Sequence, residues 1–247
     1  MCGIAGVVSH TSGGGEELVS RAELFRLMAG IETRGGLATG IAYCTEYEVR
    51  YLKAPCDWIS LVTTDEFLSD LNMITHSSWV LLHSRLPSHG DVYDNRNNHP
   101  IVNEHGLIIH NGVVSIDDNT FPAQGETDTE QLLLCIQKYG FAGLKKISGS
   151  VAIAYVDFER PGDVYLYRNS MSPCYWYKES RRLVFASTAQ ILQTSLLIKQ
   201  TIEEQKAGIV FRASEGGVEE VMKVKTKPGV TMSFPWYQDS SFFSWGR

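Results

Sequence analysis

The chain has 247 residues, 43% of them hydrophobic and 20% charged, the proportions of a folded globular protein and not of a disordered one. Twenty-eight acidic against 22 basic residues leave a net charge of −6 with no long run of either sign, which points away from nucleic acid and anionic membranes as partners. The five cysteines form no CxxC pair, the first thirty residues lack a signal-peptide pattern, and no apolar run reaches the roughly 18 residues of a membrane helix; a reducing cytoplasm is expected.

In chain order, residues 3–9, GIAGVVS, predict a short buried strand, with a turn at SGGGEE after it. Residues 17–31 place Leu18, Ala22, Leu24, Phe25, Met28 and Ile31 on one helical face, which the RGG at 34–36 ends. Strands follow at 39–44 and 48–54, a mixed helical segment at 65–73, and a strand at 78–84 whose Val80, Leu81 and Leu82 suit burial on both faces. Residues 87–105 are rich in Asn and His without periodicity and predict a long surface loop, a length that suits the cover of a site. GLIIHNGVVSI at 106–116 returns to strand character. The clearest helix comes next, with Thr127 as N-cap, Glu130 as capping-box partner and Gly140 as stop. Strand-like stretches at 150–157, 163–168, 174–178 and 182–187, a helix in TAQILQTSL, and short strands near 208–213 and 220–232 complete the pattern. The mixture predicts one α+β domain over residues 1–232, two packed sheets with helices outside, and an aromatic tail, 233–247, packed on it.

The chemistry begins at the first dipeptide. Removal of Met1 leaves Cys2 with a thiol of pKa about 8.5 and a free α-amine of pKa about 8, a nucleophile and a base in one residue. Gly3 adds no side chain where a substrate approaches. Taken alone, such a cysteine is more often inert, Arg85 is a rim ion-pair partner, Asn111-Gly112 is a hairpin turn, and Asp128 is a helix N-terminal charge. His83, His89, His99, His105 and His110 form no HExxH or tight triad and read as loop and strand-end residues, so no metal is expected; a metal-dependent hydrolase built on them is the unrelated alternative. GGG at 13–15 and SGS at 148–150 lack the lysine and hydroxyl residue of a phosphate loop, so no cofactor is expected either.

MCGIAGV, RGGLATGIA at 34–42, HSRLPSHG at 83–90, HNGVV at 110–114 and GETDTE at 125–130 occur in an order that resembles the class II glutamine amidotransferase domains of the N-terminal nucleophile hydrolase superfamily. SGSVAIAYVD, GDVYLYRN and LVFASTAQIL are similar to the remaining strands and helix of that domain. The resemblance implies a four-layer αββα sandwich, loss of Met1, and a glutaminase in which Cys2 attacks the side-chain amide of L-glutamine and releases ammonia through a thioester. It also implies that Arg85 grips the α-carboxylate, with the Ser88 hydroxyl nearby. Asp128 then binds the α-amine, Asn111 and Gly112 form the oxyanion hole against the substrate, and the Arg34-Gly35 turn is structural beside the active centre. Leu86 and Pro87 depart from the family's most familiar form of that loop.

Elementary chemistry agrees with those roles. Glutamine is a zwitterion, so its head group needs one cation and one anion; Arg85 offers a fork of donors to a carboxylate and Asp128 offers acceptors to an ammonium. A tetrahedral intermediate needs donors at its oxygen, which the Asn111 amide and the Gly112 N–H can supply. The family's domain is usually fused to a synthase that consumes the ammonia, and no such domain fits within these 247 residues, which leaves a separate synthase subunit as a partner, a small stand-alone member with another acceptor, or a fragment of a longer protein as the alternatives. Two alternatives remain on the same fold: hydrolysis of another γ-glutamyl or related amide, and a catalytically silent regulatory or interaction module.

Overall fold

The computed structural model describes residues 2–11, 17–46, 48–117 and 126–224. The first half runs β1 (Gly3–Ser9), α1 (Arg21–Glu32), β2 (Ala38–Cys44), β3 (Val49–Ala54), α2 (Trp58–Val62), α3 (Asp65–Thr75), β4 (Trp79–Arg85), β5 (Ile101–Asn103) and β6 (Gly106–Ile116). Then come α4 (Asp128–Tyr139), β7 (Ile147–Asp157), β8 (Val164–Arg168), β9 (Tyr175–Lys178), β10 (Arg182–Ala186), α5 (Ala189–Leu196), β11 (Glu203–Glu204), β12 (Ile209–Ser214) and β13 (Gly217–Lys223). The turn expected at SGGGEE falls largely, and the last strand beyond Val224 and the aromatic tail fall wholly, outside the described residues.

Local chemistry fixes the helix ends. Helix α1 starts at Arg21, four residues later than its apolar spacing predicts, because the Ser20 side chain accepts from the Glu23 N–H at 3.3 Å and caps it. Thr127 caps α4 through the Glu130 N–H at 3.4 Å, and Gly140, at φ +59°, ends it in a backbone conformation that favours glycine. The expected surface loop at 87–105 contains a short helical turn, Asn95–Asn97, and the edge strand β5.

Among the described residues all pairing is antiparallel, in a seven-stranded sheet ordered β11-β9-β10-β1-β4-β2-β3 and a six-stranded sheet ordered β13-β12-β8-β7-β6-β5. Three apolar clusters define the layers. One packs α1, α2, α3 and α5 on the first sheet, one fills the gap between the sheets, and one packs α4 and the turn at Gly140–Lys146 on the second. This is an α+β, αββα sandwich.

Strand alternation then decides what faces the gap. In β1, Ala5 and Val7 pack toward the helices while Ile4 and Val8 pack between the sheets; in β4, Val80 and Leu82 face the helices while Trp79 and Leu81 face the gap. In β6, Leu107 and Ile109 face the gap and Ile108 and Val114 face α4. The same parity carries Cys2, His83, Arg85 and Asn111 into the gap, all at one end of the sandwich.

Candidate active site

Strand β1 is held on both sides up to its first residues. Gly3 pairs with Ser84 of β4, and the Ser187 side chain after β10 accepts from the Ile4 N–H at 2.9 Å. Cys2 therefore stands at the end of the ladder beside Arg85. A Cβ on Gly3 would lie 2.3 Å from the Ile31 carbonyl oxygen, so glycine is needed there for the close approach of α1. Behind Cys2, Arg34 Nε donates to the Cys2 carbonyl at 3.2 Å, and Gly35 lies against the Ser84 carbonyl with no room for a side chain. The Cys2 Sγ lies 3.5 Å from the Leu86 carbonyl oxygen. Burial pushes the thiol above the ordinary cysteine range, while Arg85 pulls it down and Asp128 pushes it up, so both charges act on the sulfur.

Arg85 is 3% exposed, and its two terminal nitrogens are engaged by the chain itself. Nη1 donates to Asn98 Oδ1 at 2.7 Å and the Asp91 carbonyl at 3.4 Å; Nη2 donates to the carbonyls of His89 at 2.6 Å and Gly90 at 3.2 Å. Asn98 is held in turn: Lys53 Nζ, reaching in from β3, donates to the carbonyls of Asn98 at 2.8 Å and Pro100 at 2.9 Å, and burial lowers that amine to about 8. Ser88 sits exposed in the same loop, its hydroxyl 3.3 Å from His89 Nδ1.

Asn111 and Gly112 lie inside β6, paired with Ala152 and Val151 of β7, and make no hairpin. Asn111 is fully buried, and among the described residues no group hydrogen-bonds either end of its carboxamide. Past Ile108 the short β5 no longer covers that edge of β6. There the His110 carbonyl accepts from His83 Nε2 at 3.1 Å and the Val114 N–H donates to Asp128 Oδ2 at 2.8 Å. Alternation points the Gly112 N–H at the same edge, between those two groups. Gly112 itself has φ +149°, and a Cβ would lie 2.0 Å from the Ser150 carbonyl oxygen, so no other residue fits.

Three histidines gather beneath these residues, where sequence reasoning expected loop and strand-end side chains. His83 and His99 stack with ring centres 3.9 Å apart, and His99 Nε2 and His110 Nδ1 lie 3.1 and 3.0 Å from Thr129 Oγ1. Burial drives His83 down to about 3, His99 well below its ordinary value, and His110 down against the pull of Asp128, so all three are neutral. Among the described residues no group of three or more His, Cys, Asp and Glu has the geometry to hold a metal. A signal for His83 and His110 was present, a polar residue within the apolar runs WVLLHS and GLIIHNG; nothing local marked Asn98, and Thr129 stands in GETDTE with no role of its own assigned.

A family model described as a glutamine amidotransferase domain matches residues 71–232, well over half of the chain, a span that holds Arg85, Asn111, Gly112 and Asp128. The chain is a class II glutamine amidotransferase domain of the N-terminal nucleophile hydrolase superfamily. The amidotransferase domain superposes on a glutamine phosphoribosylpyrophosphate amidotransferase from B. subtilis with a TM-score of 0.68 at 15% identity, over 89% of this chain and 49% of that one. An allosteric regulatory enzyme of purine biosynthesis gives 0.66 at 14%, over 90% and 50%. A glutamine aminotransferase class-II domain protein from Silicibacter pomeroyi gives 0.52 at 16%, over 90% and 100%. At these identities the likeness shows the fold, and the domain spans about half the length of the first two. No curated protein matches the sequence significantly. No helix among the described residues is long and apolar enough to cross a membrane.

Proposed function

We propose that this amidotransferase domain is a glutaminase. With Met1 removed, Cys2 Sγ attacks the side-chain amide carbon of L-glutamine, its α-amine takes the thiol proton and passes it to the leaving ammonia, and water hydrolyses the thioester to glutamate. The observation that carries this reading is the Asn111 carboxamide, buried without a hydrogen-bond partner among the described residues and pointing into the same gap as Cys2. A buried donor with no resting partner is what a developing oxyanion needs, and the Gly112 N–H is the second donor. Arg85 and Asp128, both acting electrostatically on the sulfur, supply the opposite charges for the zwitterionic head, and Ser88 adds a hydroxyl. A carboxylate reaching Arg85 exchanges with the carbonyls of His89, Gly90 and Asp91, so binding rearranges that loop.

The sequence carries Met1 ahead of Cys2, and a Cys2 nitrogen held in a peptide bond cannot act as base. Intact mass and ammonia release, measured on one preparation, test the reading together. Protein lacking Met1 should hydrolyse glutamine, and both Cys2→Ala and Met1-retaining protein should be at least 10³-fold slower. Processed protein that releases no ammonia, or Cys2→Ala with full turnover, refutes it. Exposed Leu37, Leu86 and Met171 at this end of the sandwich support a separate synthase subunit that docks there and receives the ammonia. The second reading, hydrolysis of another γ-glutamyl amide, is favoured by the engaged Arg85, which is satisfied without a free carboxylate. Comparing glutamine with γ-glutamyl compounds whose carboxylate is blocked separates the two.

A further inference from the structure

Thr129 is the second residue of α4 and is 1% exposed. Its hydroxyl lies 3.0 Å from His110 Nδ1, 3.1 Å from His99 Nε2 and 3.4 Å from Asp128 Oδ1. A hydroxyl has one proton and two lone pairs, so three partners use it to capacity. Those partners belong to three separate pieces of the site. His110 precedes Asn111 in β6. His99 follows Asn98, which takes the 2.7 Å bond from Arg85. Asp128 is the anion itself. His83 braces the arrangement from the opposite sheet, donating to the His110 carbonyl and stacking on His99.

We infer that Thr129 is a positioning residue whose hydroxyl sets the spacing between the amide end of the site, Asn111 and Gly112, and the head-group end, Arg85 and Asp128. The inference rests on the glutaminase reading, and it names a residue outside the reacting set. Helix formation does not require this hydroxyl, because Thr127 is the residue that caps α4. Packing does not require it either, since valine has the same branched shape without the oxygen. Burial holds both rings it joins, His99 and His110, below the ordinary histidine range, which favours their uncharged forms at the hydroxyl. What it supplies is a fixed junction between strand, loop and helix, in a reaction where a displacement of about 1 Å costs roughly 100-fold.

The test uses the full chain in a Cys2→Ala background, which binds without turning over, with L-glutamine as the probe in titration calorimetry. Thr129→Val should weaken glutamine binding about tenfold, as expected for losing two to three hydrogen bonds, and Thr129→Ser should restore it to within about threefold. With Cys2 present, KM for glutamine should rise in the valine variant and return with serine. Valine binding equal to the parent, or valine and serine variants equally impaired, overturns the inference and leaves the glutaminase reading standing. A Cys2→Ala parent that binds no glutamine overturns both. Where Thr129→Val does not yield folded protein, His99→Phe carries the test. It keeps the stack on His83 and removes the ring nitrogen, and binding equal to the parent again overturns the inference.

Discussion

Replacing Asn111 by leucine separates the two purposes a buried side chain can serve. Asn111 is fully buried with no partner among the described residues at either end of its carboxamide, and an unpartnered buried polar group costs about 1–3 kcal/mol. Leucine has the same branched arrangement of side-chain heavy atoms and removes that cost, while its two methyls add bulk at the end of the side chain. The variant should therefore be more stable by at most about 1–3 kcal/mol, the added bulk offsetting part of the gain, and in a domain of this size each kcal/mol raises Tm by about 2–4 °C. Turnover should move the other way. Loss of one oxyanion donor costs about 10²–10³ in kcat, with little change in KM because the bond forms only as charge develops on the oxygen. Calorimetric melting and coupled ammonia release across a glutamine series, on one preparation lacking Met1, read both quantities. Asn111→Asp is the control: it keeps the shape, places an unpaired carboxylate in the site, and should lower both Tm and kcat. A leucine variant that melts several degrees lower shows that the carboxamide serves the fold. One that keeps kcat within about threefold shows that it does not serve the oxyanion.

Arg85→Lys keeps the charge but not the fork that reaches Asn98 Oδ1 and three carbonyls, so KM for glutamine should rise about tenfold or more and the 86–91 loop should become easier to cleave by protease; an unchanged KM and cleavage pattern refutes the role given to the guanidinium. Acid should weaken the fold through His83 and His99. Burial holds both neutral in the native state, whereas the unfolded chain protonates them below about pH 6.5, so the unfolded state binds more protons and the stability present above that pH is lost as pH falls toward 3. Between pH 6.5 and 5.5 the pair should forfeit about 2 kcal/mol, a fall of about 4–8 °C in Tm. A flat Tm over that interval contradicts the buried neutral rings.

The elements legible in the sequence are those where period and punctuation agree. Strand β6 spans the expected 106–116, and α4 runs from the Thr127 cap to the Gly140 stop. Helix α2 and strand β5, five and three residues long, are too short for any period to register. Asn111-Gly112 was ambiguous for a physical reason. The dipeptide is a turn signal because both residues tolerate unusual backbone angles, and the same tolerance lets Gly112 sit at φ +149° inside a strand. The residues assigned to the chemistry stand in short local motifs, since each does its work through its own side chain or backbone. The contacts that hold them in place do not show there, even where the residue itself, as with Thr129 in GETDTE, lies within a motif. Asn98 meets Arg85 across 13 positions and Thr129 meets His99 across 30, so neither contact leaves a local trace. A threonine two residues past a helix cap reads as an ordinary helix residue. It becomes a junction only when the segment carrying His99 folds beneath β6 and brings two ring nitrogens to one hydroxyl. Spacing within the site is thus a property of the tertiary fold, which is why the motifs hold the residues proposed to react while the role proposed for Thr129 appears only in the folded chain.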